Sequence, residues 1–116
     1  MDRRRRVAEL LRRELSALIA REVGDRRVKM LSITAVTVSK DLKQATVYVS
    51  SIERGAAPAE IEETLNRAGK YLRYLLGRQV HLKTTPGLLF KYDHSIRRGV
   101  EMTQLIDSLA GKHAAS

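Results

Sequence analysis

The 116-residue chain contains no cysteine, no tryptophan and only two prolines, and its single phenylalanine stands beside four tyrosines. Without cysteine there can be no disulfide and no thiolate metal ligand, and the three histidines, His81, His94 and His113, are too scattered to suggest a structural zinc site. No metal or cofactor is expected. Long apolar runs are missing too: Ala17 to Ala20 and Leu88 to Phe90 fall far short of the roughly 20 residues that a membrane-spanning helix needs. No apolar stretch of signal-peptide length follows Met1, Asp2 and the four arginines, so the expected location is the cytoplasm. Neither a phosphate-binding glycine loop nor a dinucleotide fingerprint occurs.

Acidic residues are the other shortage. Thirteen Asp and Glu stand against 22 Lys and Arg, a formal net charge of +9, and the excess is uneven: residues 1–29 carry +5, 30–40 carry +1, 41–66 carry −3 and 67–116 carry +6. A surface field of one sign concentrates polyanions and speeds their capture, which makes nucleic acid the first partner to consider. An anionic membrane surface is a weaker candidate, because the basic first helix lacks the Trp or Phe anchors of interfacial helices. What is present suits a folded globule, with enough apolar residues for one modest core. Residues 1–110 are expected to form a single domain and residues 111–116 a flexible tail.

Apolar residues at Val7, Leu11, Leu15, Leu18 and Ile19 predict an amphipathic helix from Arg3 to Val23, ended by Gly24. Leu31 to Ser39 and Gln44 to Ile52, rich in Ile, Val and Thr, predict an antiparallel hairpin turned at Ser39 to Leu42. In its first strand Leu31 and Ile33 are out of phase with Val36 and Val38, which predicts a bulge near Thr34 and Ala35. Pro58 suits the first turn of a second helix, whose stripe of Ile61, Leu65, Ala68, Leu72, Leu75 and Leu76 runs to Gly77 as terminator. Gly69 lies inside it at a cost of about 1 kcal/mol relative to alanine, which predicts a kink or a close backbone approach. Val80 to Tyr92 reads as extended, broken at Pro86 and Gly87, and Ser95 to Leu109 as a last helix.

Asp93, His94 and Ser95 have the residue types of a hydrolase triad, but consecutive residues at a strand-to-helix junction do not converge on one atom, and Asp and Ser there are ordinary caps. No catalytic residue is expected. The informative cluster is Arg67, Lys70 and Arg73, spaced by three around Gly69. A break at that glycine would release backbone N–H groups to meet a phosphate beside the cations. Arg78 and Lys83 follow in sequence, and Arg3, Arg4, Arg5 and Arg6 form a second basic patch. Tyr74, off the apolar stripe beside Arg73, can pack on a sugar or base or simply cover the helix.

Pro86, Leu88, Phe90, Asp93, Ser95 and Gly99, together with Ile33, Thr34, Val36, Val38, Ser39, Asp41 and Leu42 and then Ala45, Val47, Tyr48 and Val49, resemble the ribosome-binding factor A family over nearly the whole chain. The resemblance implies an α+β, type II KH-like fold: a three-stranded mixed sheet packed against helices, with a kinked central helix replacing the GxxG loop. In the family that kink is built on Ala-x-Gly. Here the motif falls on Ala68, Gly69 and Lys70, so glycine takes the middle place. The resemblance also implies a noncatalytic RNA-binding assembly factor that docks on the immature small ribosomal subunit and its precursor rRNA and assists late maturation and processing, with an assembly GTPase as a further candidate partner; the lack of a heptad seam gives no reason to expect more than a monomer. Charge alone leaves two other readings open, a sequence-independent DNA-binding or nucleoid protein and a module whose basic face meets an acidic protein.

Overall fold

The structure is a computed structural model and describes residues 3–23, 31–51 and 57–95. Helix α1 spans Arg3–Glu22, and the five residues that set its period, Val7, Leu11, Leu15, Leu18 and Ile19, are all buried. Strands β1 (Leu31–Val38) and β2 (Gln44–Ser51) pair antiparallel, and the register slips between Ile33 and Ala35, where the change of phase predicts a bulge. Ala45, Val47 and Val49 point into the core, while Thr46 and Tyr48 alternate with them as half-buried residues. Between the strands the Asp41 carboxylate accepts the Ser39 hydroxyl (2.7 Å) and the Lys43 N–H (3.1 Å), which holds its pKa below the ordinary aspartate value.

Helix α2 (Pro58–Gln79) starts with Pro58 in its first turn, where a missing N–H costs nothing, and buries Ile61, Leu65, Gly69, Leu72 and Leu76. Strand β3 (Gly87–Tyr92) then adds to β2 in parallel, giving a mixed sheet of order β1-β2-β3. Against it α1 packs on β1 and α2 on β3, and the helices also touch each other. The fully buried Leu11, Leu15, Leu18, Ile61, Leu65, Leu72, Leu76 and Phe90 fill the space between, each contributing roughly 1.5–3 kcal/mol of burial.

Three expectations change. The second helix is unbroken through Ala68, Gly69 and Lys70, so the interruption expected at Gly69 is absent. One glycine costs about 1 kcal/mol, less than the burial of the four apolar residues around it. Gly77 does not end the helix, which continues to Gln79. Its bareness admits Thr85, whose hydroxyl would lie 3.0 Å from a Cβ there. The third strand starts only at Gly87, after the fully buried Pro86, because proline has no N–H for the ladder. The last helix beyond Ser95 and the 111–116 tail lie outside the described residues.

Candidate nucleic-acid interface

The parallel pairing decides which backbone groups of β3 face outward. Gly87 and Asp93 turn their N–H groups to Lys43 O (2.8 Å) and Val49 O (2.7 Å), so Phe90 and Tyr92, in the alternate phase, turn theirs to the sheet edge. An open strand edge is a pairing hazard, and α2 closes this one. The Asn66 amide accepts the Phe90 N–H (2.8 Å) and donates to the Phe90 carbonyl (3.0 Å), while Glu62 accepts the Tyr92 N–H (2.7 Å). A turn further on, Leu88 O passes Gly69, and then Arg73 donates Nε and Nη2 to the Thr85 carbonyl (3.1 and 2.9 Å). This clasp was invisible in the helix pattern. Its only signal is the spacing of Glu62, Asn66, Gly69 and Arg73, a second stripe beside the apolar one.

The clasp fixes what the opposite side of α2 presents. From Thr64 to Tyr92 the chain has six Lys or Arg and no Asp or Glu. Arg67, Lys70 and Arg78 are exposed there, and Lys70 and Lys83 have no ion-pair partner among the described residues. Arg67 is paired with Glu63 at 2.6 Å, with both side chains about 70% exposed; such pairs are weak, and a phosphate can displace the carboxylate. Arg73 belongs to the clasp and is not interchangeable with the other two. Its charge stays uncompensated, because its partner is a neutral carbonyl. Arg78 donates to the Tyr74 hydroxyl (3.2 Å), with its guanidinium carbon 5.9 Å from the ring centroid.

The two basic regions expected from sequence approach each other. A cavity of about 200 Å³ opens between the start of α1, the β1–β2 turn and the α2–β3 loop, and Arg3 and Lys83 both line it, with Val7, Asp41, Leu42 and Pro86. Leu42 takes a left-handed φ of 62° in that turn. Arg4, Arg5 and Arg6 are exposed along the first turn of α1, which has no acidic residue to offset the positive end of the helix dipole. Ala68 and Gly69 provide no released N–H groups, since the backbone there is helical, so the backbone at this point offers nothing to an anion.

Asp93 and Ser95 close a local hydrogen-bonded turn after β3. Asp93 accepts the Ser95 N–H (2.9 Å) and hydroxyl (2.5 Å) on one oxygen and the Thr34 hydroxyl (2.6 Å) on the other, and these bonds, Ser95's hydroxyl first, lower its pKa. The His94 ring lies against Tyr92, centroids 5.1 Å apart, and does not stand between Asp93 and Ser95. Thr34 is the residue displaced by the bulge, so the bulge aims a hydroxyl at the end of β3. Among the described residues no cluster of His, Asp and Glu could hold a metal, and no helix is long and apolar enough to cross a membrane.

Together the mixed sheet, its helical cover and the exposed cationic helix face define a small basic α+β protein of the KH-like type. The family model described as ribosome-binding factor A matches residues 3–106. The protein is 42% identical over 109 residues to a ribosome-binding factor A from Azotobacter vinelandii, covering 91% of this chain and 84% of the relative, and 42% identical over 111 residues to one from Nitrosococcus oceani, covering 96% and 87%. The crystal structure of ribosome-binding factor A from Thermus thermophilus superposes with a TM-score of 0.67 at 29% identity, over 75% of this chain and 92% of that one. A Thermus thermophilus ribosome-binding factor A model fitted into the cryo-EM map of its 30S complex gives 0.64 at 29%, over 75% and 91%. The chain belongs to the ribosome-binding factor A family.

Proposed function

We propose that this protein binds the immature small ribosomal subunit in the cytoplasm and assists late maturation and processing of its rRNA, without making or breaking a bond itself. The observation that carries the reading is the outer face of α2, where Arg67, Lys70 and Arg78 are exposed in a stretch free of carboxylates, in a chain whose relative has been fitted on the 30S particle. Phosphate neutralisation by these cations, with Lys83 and the Arg3 to Arg6 turn extending the track, supplies affinity and its salt dependence. RNA shape supplies most of the selectivity.

The test is sedimentation with small subunits from cells. R67E/K70E should lose comigration with an unchanged circular dichroism spectrum; Arg73 is left alone because it anchors the α2–β3 loop. Comigration that survives both reversals removes this face from the interface. Competition separates RNA from DNA as the target: duplex DNA that displaces structured rRNA at equal phosphate concentration would identify a general DNA binder instead.

A further inference from the structure

We infer that Tyr71 and Tyr74 form a stacking platform for an unpaired base of the RNA partner, flanked by the cations that hold the adjoining phosphates. The inference rests on the RNA-binding reading above and adds to it a kind of contact that charge does not supply. Tyr71 and Tyr74 are 53% and 58% exposed, the most exposed of the large hydrophobic side chains among the described residues. Isolated exposed aromatics need no explanation, but these two lie three residues apart on one helix and belong to one stripe, Arg67, Tyr71, Tyr74 and Arg78, at steps of four, three and four. Neither ring is in the buried core of α2, which is Ile61, Leu65, Leu72 and Leu76, nor in the clasp on β3, which uses Glu62, Asn66 and Arg73.

The surroundings select the partner. A protein partner for a face with this charge would need an acidic patch. RNA brings phosphate and base together at the spacing of a single nucleotide, matching a ring set between cations. The Arg78 guanidinium held at the Tyr74 hydroxyl adds to the two rings a flat cationic group on which a base can lie. A ring on a helix surface cannot reach a base stacked within a duplex, so the nucleotide must be unpaired. Tyrosine also orders only two side-chain torsions on contact, which keeps the entropic cost of the platform small.

The experiment measures binding of the full-length protein, over a salt series, to a hairpin RNA with an unpaired loop and to the same stem as a blunt duplex. Y71A/Y74A should weaken hairpin binding roughly five- to one-hundredfold with the salt slope unchanged, and leave duplex binding as it was. Y71F/Y74F should bind the hairpin like the parent, since the ring and not the hydroxyl does the stacking. Equal hairpin affinity for parent and Y71A/Y74A overturns the platform, as does an equal loss on hairpin and duplex. A loss seen with intact subunits but not with the hairpin also overturns it, in favour of a ribosomal protein as the contact. If the parent protein binds neither RNA, the RNA-binding reading falls first and takes the platform with it.

Discussion

On the flank of α2 that faces β3, Glu62, Asn66 and Arg73 each end on a backbone group of the strand or of the loop before it. On the outer flank Arg67, Tyr71, Tyr74 and Arg78 end on Glu63, on one another or in solvent. Both stripes step by four, three and four residues, so helix geometry treats them alike. They differ in what lies opposite. A strand edge needs its N–H and C=O groups satisfied, and side chains that do so become part of the fold; the other flank leaves its donors and rings exposed. Substitutions on the two flanks should therefore separate stability from binding.

The largest separation is expected on the outer flank. R67Q/K70Q/R78Q should lower the salt slope of small-subunit binding by roughly 2–3, as expected for three lost phosphate contacts, and leave the urea midpoint within error of the parent. The mirror image is Asn66→Ala. It strips both partners from Phe90, a residue only 1% exposed, and should cost about 2 kcal/mol of unfolding free energy by urea titration while the folded protein binds with unchanged affinity. A drop in affinity for Asn66→Ala, measured where the variant is fully folded, would break the division between the flanks.

The inner flank is also where sequence reasoning reaches its limit. Apolar period revealed α1, the hairpin and α2 with nearly their observed bounds, because the residues that set the period are the ones that become buried. The bulge at Thr34 was legible for the same reason, as a slip in the phase of burial. The clasp was not, since polar side chains carry no period of their own and Asn66 acquires its role from a strand more than 20 residues later. Nor could spacing tell that Arg73 is tied to Thr85 while Lys70 is not. Spacing by three places Arg67, Lys70 and Arg73 on a slant that crosses from the outer flank to the inner one. The candidate site was thus legible as a region, with its division of labour hidden in tertiary contacts.

Gly69 offers a smaller test at the border of the clasp. A Cβ there would meet nothing nearer than Leu88 O at 3.9 Å, an ordinary contact, and the helix would gain a better former. Gly69→Ala should therefore stabilise the protein by about 0.5–1 kcal/mol in thermal or urea unfolding. Gly77→Ala should not show that gain, because its Cβ would stand 3.0 Å from the Thr85 hydroxyl and force that side chain to shift. If Gly69→Ala stabilises the free protein yet weakens binding to the subunit, the glycine serves a bent helix in the complex that the free fold does not require.

The finest test lies in Glu63, the carboxylate paired with Arg67. Glu63 stands one turn before Arg67 and holds its guanidinium at 2.6 Å, in the favourable order for a helical pair and in nearly full contact with water. Such a pair stabilises a helix by roughly 0.2–0.5 kcal/mol, so Glu63→Gln should barely move the unfolding curve. Binding should respond in the opposite direction. Removing the carboxylate takes away a negative charge that repels phosphate and frees a guanidinium able to engage it in a fork, so affinity should rise a few-fold at low salt, with a gain in salt slope of no more than about 0.9. The double variant Glu63→Gln, Arg67→Gln separates the two effects. If its affinity matches Arg67→Gln alone, Glu63 acts only through its partner; if it stays higher, Glu63 itself faces the phosphates. An unchanged affinity for Glu63→Gln would place Arg67 outside the contact and move the interface along the helix toward Lys70 and Arg78.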